Sequence, residues 1–123
     1  MVKLLVVEDD MLLDEAYQRR YSEKYDVRVT TTGDSGLSVA KTWIPDLVLL
    51  DIYLPGKMDG LDVLRELKKD PKTSKIPVLV ITNLPDAVEK VKAMGADECF
   101  MKTDVDLDII ADTLDTLMAK SEM

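Results

Sequence analysis

Short runs of consecutive apolar residues alternate along this chain with longer stretches in which apolar residues recur every three or four positions. The short runs, at residues 2–7, 27–30, 47–50, 78–81 and 99–101, predict strands. In "KLLVV", "DLVLLD" and "PVLVIT" the apolar residues are consecutive rather than alternate, so both faces of the sheet must be covered, as in the centre of a parallel sheet. The periodic stretches, at residues 11–24, 34–42, 61–69, 85–94 and 105–118, predict helices. In the last of them Leu107, Ile110, Ala111, Leu114, Leu117 and Met118 make one stripe. Asp104 is expected to cap its start, with Asp106 and Asp108 complementing the helix dipole. Gly95 closes the fourth helix and Gly33 precedes the second. Five strands alternating with five helices specify an α/β fold: a three-layer, doubly wound (βα)5 sandwich of flavodoxin-like plan, with a parallel five-stranded sheet of order 2-1-3-4-5.

Composition narrows the chemistry. A chain of 123 residues, 46% hydrophobic and 33% charged, holds one domain, expected at residues 1–119 with a short tail at 120–123. The net charge of −8 disfavours nucleic acid and suits cations or basic protein surfaces. Histidine is absent and Cys99 is the single cysteine, so the chain has no internal disulfide and no His/Cys zinc set. No apolar run approaches the roughly 20 residues of a membrane-spanning helix, and the start is too quickly acidic for a secretory signal. A cytoplasmic location is expected.

In such a sheet the loops after the strand ends gather on one edge. Glu8 and Asp9 follow the first strand, Asp51 ends the third, Thr82 and Asn83 follow the fourth, and Lys102 follows the fifth. With the first and third strands adjacent, Glu8, Asp9 and Asp51 face each other across about one strand spacing of roughly 5 Å. Like charges that close drive protonation unless a cation intervenes, and an oxygen-only donor set suits Mg²⁺. Lys102 and Thr82 beside a metal would make a phosphate site. Two plainer readings stand beside this one. Asp10 is accounted for as the cap of the first helix, and Glu8 and Asp9 by themselves are ordinary solvated acids at a helix start.

The acidic pair after "LLVV", the "PDLVLLDIYLPG" segment carrying Asp51, "MDG" at Met58 to Gly60, "IPVLVIT" ending in Thr82 and "GADECFMK" ending in Lys102 together resemble the receiver domain of two-component response regulators, over essentially the whole chain. In length and plan the chain is similar to the stand-alone chemotaxis type, with only about five residues after the last helix. The resemblance implies that Asp51 accepts a phosphoryl group from a histidine kinase or a histidine phosphotransfer protein. It implies Mg²⁺ held by Asp9, Asp51 and the backbone carbonyl of Tyr53, with Glu8 acting through a water. Thr82 would be the switch hydroxyl and Lys102 the ion-pair partner of the phosphoryl oxygens. Output would pass to a downstream protein through the face of the fourth helix, fifth strand and fifth helix, as a monomer or a phosphorylation-dependent homodimer. The chain would then be a switch that speeds its own phosphorylation and dephosphorylation, rather than an enzyme.

Several positions depart from that family pattern. Cys99 stands where receivers carry Tyr or Phe, and Phe100, one place later, must point to the opposite face of the strand unless a bulge intervenes. Asn83 replaces a small residue and Thr103 a proline, Lys57 is an extra residue, and the segment from Thr82 to Gly95 is short. Cys99, Asn83 and Thr103 motivate an alternative, a degenerate receiver that binds protein without phosphorylation, and the intact Asp51, Thr82 and Lys102 argue against it. A flavodoxin-like cofactor protein or small hydrolase is disfavoured, because the first strand leads into "EDD" rather than a glycine-bearing phosphate loop. Met11 and Leu12 are surplus to the first helix's stripe of Leu13, Ala16, Tyr17 and Tyr21, and serve either a docking partner or packing under the adjoining loop.

Overall fold

A computed structural model describes residues 1–122. Strands β1 (Val2–Val7), β2 (Tyr25–Thr30), β3 (Leu47–Asp51), β4 (Val78–Thr82) and β5 (Glu98–Met101) alternate with helices α1 (Met11–Tyr21), α2 (Gly33–Trp43), α3 (Gly60–Lys69), α4 (Ala87–Ala93) and α5 (Leu107–Ser121). All strand pairs are parallel and the sheet order is β2-β1-β3-β4-β5, as the alternation predicts. Every residue of β3 and β4 is buried, which is why these two strands read as unbroken apolar runs.

The two faces of the sheet carry separate apolar layers. Leu4, Val6, Leu49 and Ile81 pack against Tyr17 and Tyr21 of α1 and Ile110, Leu114 and Leu117 of α5. Leu5, Val7, Leu50 and Val80 face the other way, against Leu37 of α2, Leu64 and Leu67 of α3 and Val91 of α4. Each fully buried Leu or Val contributes about 1.5–3 kcal/mol relative to exposure, so these layers dominate stability and fix where the sheet edge lies.

The element boundaries follow local chemistry. Asp10 caps α1 by accepting from the Leu12 and Leu13 amides at 3.0 and 3.2 Å. Thr32 with Ser35, and Asp59 with Asp62, form capping boxes at α2 and α3. Helix α1 stops at Tyr21 rather than at residue 24, because Tyr25 is buried as the first residue of β2 and its hydroxyl bonds Asp115. The fifth helix needs a larger correction. Asp104 does not cap it: residues Lys102–Asp104 form a 3-10 turn, and the helix begins at Leu107 with Asp106 accepting from the Ile109 amide at 2.9 Å. The helix also runs through Lys120 and Ser121, which the sequence places in the tail, while Met123 lies outside the described residues. The segment after Thr82 is trimmed as its length implies, with α4 only seven residues long.

Candidate functional site

At the carboxyl edge of the sheet, the backbone ladder delivers the predicted residues to one place. The Glu8 amide donates to the Thr30 carbonyl at 3.0 Å, one residue beyond β1, which leaves the Glu8 side chain turned inward and only 3% exposed. Asp51 ends β3 at 5% exposure, paired in register with Ile81, so the fully buried Thr82 stands one residue further along the neighbouring strand. Carboxylate oxygens of Glu8, Asp9 and Asp51 all lie within 4.8 Å of one another. A cleft of about 400 Å³ opens above them, bordered by Asp9, Asp51, Tyr53, Asn83, Leu84 and Lys102.

The hydrogen bonds assign a place to each oxygen. Asp51 Oδ1 accepts from the Tyr53 amide at 3.1 Å, and Oδ2 accepts from Lys102 Nζ at 3.1 Å. The same ammonium reaches Glu8 Oε1 at 2.7 Å, while Glu8 Oε2 accepts from the Asp10 amide at 3.2 Å. Thr82 Oγ1 accepts from the Leu84 amide at 3.0 Å, tying the hydroxyl to the loop that leads to α4. Tyr53 directs its ring outward, 73% exposed.

Lys102 thus corrects one expectation. The acids do not depend on a metal alone for neutralisation, because the ammonium already sits between Glu8 and Asp51. Burial works against the charged lysine, yet its bond to Glu8 and the charge of Asp51 outweigh this and hold its pKa above the ordinary value. Burial raises the Glu8 carboxyl, opposed by Lys102 and reinforced by Asp51. Asp9 is also raised, by partial desolvation and then by Glu8. Three carboxylates against one ammonium leave a formal charge of −2, and their oxygen-only donors suit a hard divalent cation.

Sequence reasoning gave Gly60 no role beyond its place in "MDG", and passed over Asp14. A Cβ on Gly60 would collide with the Asp51 carbonyl oxygen and the Ile52 Cα, so the glycine of "MDG" lets α3 start directly beneath the Asp51 backbone. Its own amide donates to the Ile52 carbonyl at 2.8 Å. Asp14 is buried at 7% exposure; its spacing of three and seven from Tyr17 and Tyr21 was the available signal.

Among the departures, the β4–β5 ladder runs without a bulge. It places Cys99 in the layer of α4 and Phe100 in the layer of α1 and α5, so Phe100 does not substitute for the missing aromatic. The extra residue Lys57 sits in an exposed turn after Gly56, whose φ of 91° is open to glycine. Met11 and Leu12 are 73% and 78% exposed, which rules out the packing alternative for this pair.

Comparison with known proteins gives the same outline. The family model described as the response regulator receiver domain matches residues 4–114. The response regulator PleD of Caulobacter vibrioides is 37% identical over 105 residues, covering 81% of this chain and 22% of that protein. The DNA-binding response regulator MtrA of Mycobacterium tuberculosis is 39% identical over 103 residues, covering 81% of this chain and 43% of that protein. The chain therefore spans less than half the length of these curated relatives. The solved receiver domain of a signal transduction histidine kinase from Syntrophus aciditrophicus superposes with a TM-score of 0.88 at 27% identity, over 98% of this chain and 92% of that one.

Proposed function

Because the chain belongs to the family of response regulator receiver domains, we propose that it is a phosphoacceptor switch of a two-component phosphorelay, with Asp51 as the nucleophile. The observation that supports this most directly is the state of Asp51: a buried carboxylate at the sheet edge, steered by the Tyr53 amide and Lys102, at the wall of an open cleft. In the proposed step an Asp51 oxygen attacks the phosphorus of a phosphohistidine in a histidine kinase or phosphotransfer protein. The P–N bond breaks, the imidazole leaves with its electron pair and takes up a proton, and an acyl phosphate remains on Asp51.

Asp9 and Asp51 would hold Mg²⁺ with the Tyr53 carbonyl, and Glu8 would contribute through a water. The ion's chemistry is to offset negative charge on the transferring phosphoryl oxygens. Lys102 and the Thr82 hydroxyl would bond the phosphoryl group, and movement of Thr82 would pull on the Leu84 amide and so on α4. Output to a downstream protein then runs through the face of α4, β5 and α5, with dimerisation on phosphorylation read by light scattering. The receiver unit is taken to run to the end of α5 at Ser121, two residues beyond the expected boundary at 119, and to act in the cytoplasm; the chain's net charge of −8 opposes a nucleic-acid partner. It promotes only its own phosphorylation and dephosphorylation.

Incubation with acetyl phosphate and Mg²⁺ followed by intact mass tests the reading. One phosphate adduct is expected, lost in EDTA and lost in Asp51→Asn. An adduct that survives Asp51→Asn refutes the assignment, and no adduct under any condition favours the phosphorylation-independent module that Cys99 motivates.

A further inference from the structure

Asp14 lies in the first turn of α1, and both its Oδ atoms are buried with no hydrogen-bond partner; no other buried side-chain nitrogen or oxygen among the described residues is in that position. A carboxylate at a helix start is favourable, but a solvated one serves the helix dipole equally well. Burying the ion without partners costs several kcal/mol, so the group must carry a proton or be balanced by charge.

The groups facing it are mostly negative. Glu8 comes from the end of β1, Asp9 and Asp10 from the loop before α1, and Tyr17 from the next turn. Lys102 is the cation that acts on it most, and that ammonium is committed to Glu8 and Asp51. Strand β2 offers Val27 and Val29 to this layer and turns Arg28 to the Trp43 ring on the other. From α5, the charged Asp108 pairs with Arg20 further along α1. Asp14 is five residues beyond Asp9 and bonds none of the proposed metal ligands.

We infer that Asp14 is a proton-linked modulator of the acidic cleft, holding its proton more tightly while the cleft lacks a divalent cation than when one is bound. Burial first, and then Glu8, Asp10 and Asp9, push its carboxyl up to about 7, so the exchange falls at neutral pH. By reciprocity, a cation that favours the ionised form is bound more tightly once the proton has left. This rests on the reading of the cleft as a Mg²⁺ site, and deepens it: cation affinity, and hence readiness for phosphoryl transfer, would rise with pH through a residue that touches neither.

The test is Mg²⁺ affinity by calorimetry at pH 6 and pH 8, for the wild type and Asp14→Asn. Protonation of Glu8 and Asp9 affects both proteins alike. The wild type should gain roughly fivefold more affinity over this interval than the variant, within the usual range of coupling between sites. At pH 7 it should also release a proton fraction that the variant does not. Equal pH dependence in the two proteins overturns the inference and leaves the metal site standing; absence of Mg²⁺ binding in both at either pH overturns the metal reading and the inference with it. If the variant fails to fold, the carbon-13 shift of the Asp14 carboxyl in the wild type decides. Its midpoint should move to lower pH with saturating Mg²⁺, and an unmoved midpoint overturns the proposal.

Discussion

Lys102→Met removes the ammonium and keeps most of the apolar stem, leaving Glu8 and Asp51 as neighbouring carboxylates whose side chains are only 3% and 4% exposed. Removing one partner from a buried ion pair costs about 3–5 kcal/mol. The Lys102 side chain retains 19% exposure, and Glu8, already raised, can take up a proton once the lysine is gone. Both effects point to the lower end, about 3 kcal/mol, which for a domain of this size is a fall in Tm of roughly 10 °C. With Glu8, Asp9 and Asp51 all ionised the cluster carries −3 rather than −2, so Mg²⁺, which displaces any proton from Glu8, should stabilise the variant more than it stabilises wild type. A concentration about a hundred times Kd restores about 2.7 kcal/mol. Urea unfolding at pH 7 in EDTA and in Mg²⁺ measures both quantities. The reasoning is refuted if the variant in EDTA lies within about 0.5 kcal/mol of wild type, the spread of ordinary surface substitutions, or if Mg²⁺ stabilises it less than it stabilises wild type.

Gly60→Ala should destabilise by about 1–3 kcal/mol and lower the yield of phosphate adduct, since the new methyl displaces the Asp51 backbone; unfolding and intact mass report the two effects. Cys99→Phe, which restores an aromatic at a site 5% exposed, should cost a similar amount in a thermal melt, because the space is already filled by the α4 layer. For pH, the raised Glu8, Asp9 and Asp14 carboxyls mean that the folded protein binds protons more readily than the unfolded chain. Their charge repulsion is therefore relieved as pH falls, and the metal-free protein should gain stability between pH 7 and 5 while its Mg²⁺ response weakens. Denaturant midpoints across that range, with and without Mg²⁺, check both signs.

The sheet was legible because residues 4–7 of β1 and all of β3 and β4 are buried on both faces, so each apolar residue reports burial directly and no phase has to be guessed. Once the strand order is 2-1-3-4-5, the meeting of Glu8, Asp9, Asp51, Thr82 and Lys102 follows from topology alone. The start of α5 was not legible. Asp104, Asp106 and Asp108 recur at every second position and each is an acceptable cap; what selects Asp106 is the 3-10 turn that uses Lys102–Asp104 before the helix begins. Asp14 escaped for a related reason. Its spacing placed it on the inner face, but a carboxylate in a first turn reads as dipole chemistry, and only the packing shows it sealed from solvent. The reach of Lys102 to Glu8 depends on a flexible stem, which sequence position does not specify.

That shared lysine also constrains the order of events under the proposed reading. Before phosphorylation one ammonium bridges Glu8 and Asp51, and each acid has a cationic partner. An acyl phosphate on Asp51 carries up to about −2 in place of −1, which draws Lys102 toward the phosphoryl oxygens and away from Glu8. Glu8 is only 3% exposed, so its charge must then be met by a proton or by the divalent cation it would reach through a water. The residues therefore couple three quantities in one cleft: phosphoryl charge on Asp51, occupancy by a divalent cation beside Asp9, and protons on Glu8 and Asp14. A change in any one of them should appear in the other two, and the ion pair at Lys102 is the physical link between them.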